Sequence, residues 1–202
     1  MTRVARIAGA LILLLSATGV SADAPEFILL PTPPDGNPES GFFGYSPASH
    51  ATAVSADGSV VVGSSTSPDD YQAFRWTAAG GVEYLGFLAY FYSEATGVSP
   101  DGSVVVGGSS YDSVDWGPEA FRWTVADGMQ PLGFLPGQNQ SRAEGVSVNG
   151  SVIVGTSWGN VVEHFRWAAL GGMQVLNGFP GAYCPCGEAR AVSADGSVIV
   201  GS

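Results

Sequence analysis

Gly155-Thr156-Ser157-Trp158-Gly159 has the Gly-x-Ser-x-Gly spacing that exposes a serine nucleophile on a strand-to-helix turn. The equivalent segments elsewhere in the chain start at Gly63 and Gly107 and read GSSTS and GGSSY, so the match reads as coincidence at the exit of a repeated strand. His50 and His164 fall in different repeats, and neither has a cysteine or serine spaced for a catalytic triad. They read as an exposed and a partly buried histidine. Cys184 and Cys186 are separated by one residue. A disulfide across so short a span is strained, and two thiolates do not complete a four-ligand zinc site. A loop disulfide or free pair ranks first, a bond to another chain second and a metal third. The segments between repeats offer a different chemistry. Tyr71, Tyr111, Asp112, Asp115, Trp116, Trp158 and Asn160 combine aromatic rings with acids and amides. Such groups stack on sugar rings and hydrogen-bond hydroxyls, and they equally cover strand ends. Tyr90, Phe91 and Tyr92 extend the same candidate patch.

These residues are positioned by a repeat. Asp57-Gly58, Asp101-Gly102, Asn149-Gly150 and Asp195-Gly196 each open a run of the form Ser-Val-(Val/Ile)-Val-Gly, at spacings of 44, 48 and 46 residues. Carboxylates at such regular intervals would suit calcium, but the third of the four positions carries Asn149, which a turn accepts and which weakens a charge-dependent site. The dipeptides therefore read as hairpin turns. The three-residue apolar runs after them read as strands covered on both faces. Ala-Phe-Arg-Trp-Thr follows at Ala73 and Ala120, and His-Phe-Arg-Trp-Ala at His164. Alternation places Phe74 with Trp76, Phe121 with Trp123, and Phe165 with Trp167 on one strand face. Arg75, Arg122 and Arg166 stand between these aromatics and read as structural, bonded to backbone or an acid or stacked on a ring. Each unit holds four strand-length runs and none long enough for a helix.

The pattern predicts an all-β fold, a β-propeller-like array of four-stranded blades with about three and a half repeats in an incomplete ring. The boundaries are a signal peptide at 1–22, a leading strand and loop at 23–49, repeats at 50–94, 95–142 and 143–188, and a partial repeat at 189–202. In such an array the Asp-Gly turns share one face, and the longer, dissimilar connections share the other, where recognition is expected. The first-strand residues, Ala51–Ser55 and their equivalents, read as small or apolar, which argues against a catalytic centre along them.

Arg3 and Arg6, the apolar run from Ile7 to Ala17 and the small residues to Ala22 have the layout of a secretory signal peptide. No second apolar run follows, so no membrane span is expected in the mature part. The 202 residues carry 18 acids against seven arginines and no lysine, a net charge of −11. That excess repels phosphate backbones and excludes nucleic acid as a natural partner.

Phe-Arg-Trp, Gly-Met-x-x-Leu-Gly-x-Leu-Pro-Gly at Gly128–Gly137 and Gly-Val-Ser before the Asp-Gly turn together resemble the HAF-type extracellular repeat of bacterial secreted and surface proteins. The likeness spans residues 27–202. Gln72, Glu119 and Glu163 stand where that family has its histidine, so no role of that histidine carries over. The resemblance implies a secreted or cell-surface location, with the periplasm as the alternative, and no defined activity. The expectation is a non-catalytic binding scaffold without a cofactor or metal, its partner a carbohydrate or another surface protein. The alternatives are a glycan-acting propeller enzyme and a structural spacer.

Overall fold

The computed structural model describes residues 6–7, 10–11, 49–66, 71–88, 92–110, 117–176 and 188–201. The chain divides into two units, Met1–Pro31 and Thr32–Ser202. In the first, β1 (Arg6–Ile7) pairs antiparallel with β2 (Ala10–Leu11). Most of the signal-peptide segment, and the leading-strand segment 23–48, lie outside the described residues.

The second unit is built from antiparallel meanders. The first blade is β3 (Ser49–Val54), β4 (Val60–Thr66), β5 (Tyr71–Thr77) and β6 (Gly81–Tyr84). The second is β7 (Tyr92–Val98), β8 (Val105–Ser110), β9 (Glu119–Thr124) and β10 (Gly128–Pro131). The third is β11 (Gln138–Val146), β12 (Val152–Gly159), β13 (Val162–Ala168) and β14 (Gly172–Val175). A half-blade follows, β15 (Ala189–Val192) with β16 (Ile199–Gly201). No helix occurs among the described residues.

The apolar triplets face two neighbours at once. Val105 packs back against Val60, Val62 and Ala73 of the first blade. Val104 and Val106 point the other way, to Ala143, Ile153 and Phe165 of the third. Alternation along a strand forces this split, and it explains why three β-branched residues stand in a row. The aromatics of β9 and β13 face backward. Phe121 and Trp123 join the interface between the first and second blades, Phe165 and Trp167 the interface between the second and third. Burying one such ring contributes roughly 1.5–3 kcal/mol.

Each Asp-Gly or Asn-Gly sits in a tight, side-chain-braced turn. Asp57 Oδ1 accepts hydrogen bonds from Ser55 Oγ (2.7 Å), Ser59 N (3.0 Å) and Ser59 Oγ (2.8 Å), while Ser55 Oγ accepts one from Val60 N (3.0 Å). The same bracing surrounds Asp101 and Asp195, and Asn149 keeps it through Ser147 Oγ (3.2 Å) and Ser151 N (3.1 Å). These hydrogen bonds hold the carboxyls of Asp57 and Asp195 down to about 2, with Ser59 N the leading contributor for Asp57 and Ser193 Oγ for Asp195. The turn glycines take positive φ, and the later ones are also pressed against the preceding blade. A methyl on Gly102 would lie 2.6 Å from Val60 Cγ2, and one on Gly196 2.5 Å from Val152 Cγ2.

Buried serines clamp blade to blade. Ser93 Oγ accepts from Ala73 N of the first blade (2.9 Å) and donates to Gly86 O (2.7 Å). Ser141 repeats this with Ala120 N (2.9 Å) and Gly133 O (2.7 Å). Ser109 and Ser157 tie the connection ahead of each blade in the same way, through Leu88 N (3.0 Å) and Leu135 N (3.3 Å). Buried backbone N–H groups must find acceptors, and here side chains of the next blade supply them.

Candidate functional site along the first strands

β3, β7, β11 and β15 form the line on which successive blades meet. Every one of them carries a bulge at the same place, and the extra residue is Thr52, Thr96, Glu144 or Arg190 in turn. A bulge bends the strand and re-aims the side chain at that point. The glycine of the facing strand allows it, since a methyl on Gly63, Gly107, Gly155 or Gly201 would collide with the carbonyl of His50, Glu94, Arg142 or Glu188. In the first two blades the bulged residue is a cross-blade clamp. Thr52 Oγ1 donates to Ala95 O (2.6 Å) and Thr96 Oγ1 to Ala143 O (2.7 Å). In the third blade and the half-blade, charged side chains replace the hydroxyl.

Those charges have company. The residues just before the repeated alanines are His50, Glu94, Arg142 and Glu188. Arg142 forms ion pairs with Glu94 of the preceding blade and, at 3.4 Å, with Glu144 of its own strand. Arg190 pairs with Glu188 at 2.6 Å. Burial pushes the Glu144 carboxyl above its ordinary value; Arg142 and Arg190 pull it down, while Glu188 and Glu94 push it up. The result is a row of alternating charge, half-buried at Glu94, Arg142 and Glu144 and exposed at Glu188 and Arg190.

An aromatic pair stands beside it. Tyr71 and Tyr92 stack with ring centroids 5.3 Å apart, at the single parallel bridge between β5 and β7. Tyr71 Oη accepts from Ser64 Oγ and Tyr92 Oη donates to Glu94 Oε2, each at 2.8 Å. Burial first and the Glu94 charge second raise the Tyr92 hydroxyl above its ordinary value.

The residues singled out from sequence fall in several places. Tyr71 and Trp158 lie within strands, not in loops, because β4, β5, β12 and β13 run on past the repeated core. The connection expected to be long in the third blade is only Asn160 and Val161, both exposed. Tyr71 and Trp158 stand on different blades and form no common patch. Tyr111, Asp112, Asp115 and Trp116, with Asp69, Asp70, Tyr90, Phe91, Cys184 and Cys186, lie outside the described residues. Ser157 of the Gly-x-Ser-x-Gly segment is buried in mid-strand, donating to Gln140 O at 2.8 Å. Arg75 and Arg122 approach Glu83 and Asp127, each at 3.7 Å. His50 is exposed, and His164 is half-buried in β13. Among the described residues no cluster of three or more His, Cys, Asp or Glu is placed to hold a metal.

Glu144 and Arg190 correct the reading of Ala51–Ser55 and its equivalents as small or apolar, and Glu94, Arg142 and Glu188 stand just before those stretches. Glu94, Arg142, Glu144, Glu188 and Arg190 escape notice when the repeats are compared for what they share. Aligning the repeats on Ala51, Ala95, Ala143 and Ala189 and reading the two flanking columns for what differs would have found all five.

No family model matches the sequence, and no curated protein matches it. Solved structures do. TolB from Acinetobacter baumannii superposes with a TM-score of 0.52 at 18% identity, over 77% of this chain and 37% of that one. The putative TolB from Agrobacterium tumefaciens gives 0.50 at 18% identity, over 77% and 53%. The chain therefore spans between about a third and a half of the length of the structures it resembles. At that identity the likeness concerns fold alone, and the fold it supports is a partial β-propeller-like array of four-stranded blades.

Proposed function

We propose that the protein is a non-catalytic interaction scaffold of the HAF-repeat kind, secreted or displayed at the cell surface, that binds a segment of another polypeptide along its first strands. One observation carries this reading. The chemistry-bearing residues that recur from blade to blade are consumed in holding blades together, whereas the bulge position changes from threonine to Glu144 and Arg190. A scaffold needs the clamp at every bulge. Charge at Glu144 gives up the cross-blade hydrogen bond a threonine would make there, and with Arg190 it gains a row of mixed sign on an extended backbone, the pattern that favours a complementary polypeptide.

Recognition fits this row better than turnover does. Glu94 and Glu144 are both ion-paired with Arg142, and Glu188 with Arg190. Burial pushes Glu144 toward proton uptake, and its carboxylate is held by Arg142. The Tyr71 and Tyr92 hydroxyls are engaged within the protein, which argues for polypeptide ahead of sugar.

The test uses a displayed random peptide library and a glycan array, each probed with the wild-type chain and with Glu144→Thr/Arg190→Thr. The expected result is a set of peptides whose binding weakens at least tenfold in the double variant and falls as salt rises. Peptides that bind both chains equally, or binding confined to glycans, would overturn the reading.

A further inference from the structure

We propose that Tyr71 and Tyr92 form a site of oxidative cross-linking, at which a diffusible one-electron oxidant joins the two rings as dityrosine and staples the first blade to the second. The pair stands where these blades meet, with Tyr71 opening β5 and Tyr92 opening β7. The ring planes lie 13° from parallel and the centroids 5.3 Å apart. Carbon atoms in contact are about 3.5–4.0 Å apart. The longer centroid distance therefore means that the rings are slid, with the edge of one over the edge of the other. Two phenoxyl radicals couple through this face-to-face approach.

Blade packing does not require the pair. The serine clamps match Ser93 and Ala73 with Ser141 and Ala120 of the next interface. Counting from those residues puts Pro118 and Gln140 in the places of Tyr71 and Tyr92. There the space is filled without an aromatic, since a methyl on Gly117 would collide with the Gln140 side chain. The second interface closes with this contact, so the tyrosines of the first bring a chemistry that the clamp does not need.

The surroundings suit oxidation coupled to proton loss. Both rings are half-buried, open enough for a small oxidant. Burial and the Glu94 charge keep the Tyr92 phenol protonated, so its electron leaves only as its proton leaves. Tyr92 Oη already donates to Glu94 Oε2 at 2.8 Å, and Arg142 of the third blade holds that carboxylate. Tyr71 Oη accepts from Ser64 Oγ at 2.8 Å. Each ring gives one electron to the oxidant and its phenolic proton to a base, Tyr92 to Glu94 and Tyr71 to water. The two unpaired electrons form a carbon–carbon bond between positions ortho to the hydroxyls. Each ortho hydrogen then returns to the oxygen as a proton, restoring both phenols. The net change is the loss of two electrons and two protons.

Oxidation of the full-length chain at low concentration, with photo-excited tris(bipyridyl)ruthenium and persulfate, tests this. Peptide mass mapping should find Tyr71 and Tyr92 joined, lighter by two hydrogen atoms, in a chain that stays monomeric. Tyr71→Phe and Tyr92→Phe should each lose most of the dityrosine fluorescence. The joined pair should vanish when the wild type is oxidised in urea, which removes the stack and keeps the sequence. Glu94→Gln, which keeps an acceptor and removes the base, should slow the coupling severalfold while circular dichroism stays unchanged. A wild type without the Tyr71–Tyr92 link, or equal yields from folded and unfolded chain, overturns the proposal. An unaltered rate in Glu94→Gln overturns the proton path. Should a phenylalanine variant fail to fold, the comparison of folded and urea-unfolded wild type decides.

Discussion

Replacing Glu144 with threonine separates the functional from the structural account of the first strands. The threonine would stand at the bulge of β11 as Thr52 and Thr96 stand in theirs, with Ala189 O as the counterpart of Ala95 O and Ala143 O. One hydroxyl-to-carbonyl bond contributes about 1 kcal/mol net. Against it stands the Arg142–Glu144 pair at 3.4 Å, whose arginine side chain is 39% exposed. Solvent screening limits such a pair to about 0.5 kcal/mol. Removing a carboxylate that burial disfavours adds to the gain. The variant should therefore be more stable by roughly 0.5–1 kcal/mol, a rise in melting temperature of about 2 °C for a chain of this size. Binding of the peptides selected by the wild type should weaken about tenfold, equivalent to about 1.4 kcal/mol. Calorimetry and fluorescence anisotropy on the same preparation read the two quantities. A less stable variant would mean that Glu144 is itself a structural clamp. Unchanged peptide binding would mean that the charged row is not the site.

The clamps and turns give further expectations. Ser141→Ala strands the buried Ala120 N–H and Gly133 carbonyl, and should cost about 1–3 kcal/mol in urea unfolding. Gly102→Ala must accommodate both positive φ and Val60, and should cost about 2–4 kcal/mol. Gly58→Ala meets only the backbone penalty, about 1–2 kcal/mol, so the two variants should differ by equilibrium denaturation. Because folding lowers the carboxyls of Asp57 and Asp195, their stabilising effect is present above the ordinary carboxylate range and is lost as pH falls through about 2. Amide shifts of Ser59 and Ser197 should follow that titration by NMR, while the Ser151 amide, held by Asn149, stays constant.

The strands and their hairpin corners were legible because their causes are local. Asp-Gly and Asn-Gly announce the turns, and Phe-x-Trp alternation announces the third strands. The valine triplets showed that both faces are covered, without showing by what. Their split between two neighbours needs the three-dimensional order of blades. Strand ends were harder. The run from Thr156 to Gly159 has little β-branched character, and it is strand because β11 and β13 pair with it on both sides. The serine clamps were invisible as such, since Ser93 and Ser141 are spaced like any polar residue of a strand and gain meaning only from the adjacent blade. For the charged row, searching for what repeats hid what varies. Tyr71 stands out in the sequence for its aromatic ring, but its stacking partner is Tyr92, which spacing along the chain does not reveal.

Amide hydrogen exchange resolved to single residues tests most directly whether side chains clamp the blades into one array and leave the charged row free. Ala73 N–H and Ala120 N–H donate to Ser93 and Ser141 of the next blade and not to a strand of their own. The account predicts that both exchange as slowly as the ladder amides of β8 and β12, through global unfolding alone. Exchange of these two at the rate of the exposed turns, with the ladders still protected, would show blades that fold without holding one another, and the account would fail.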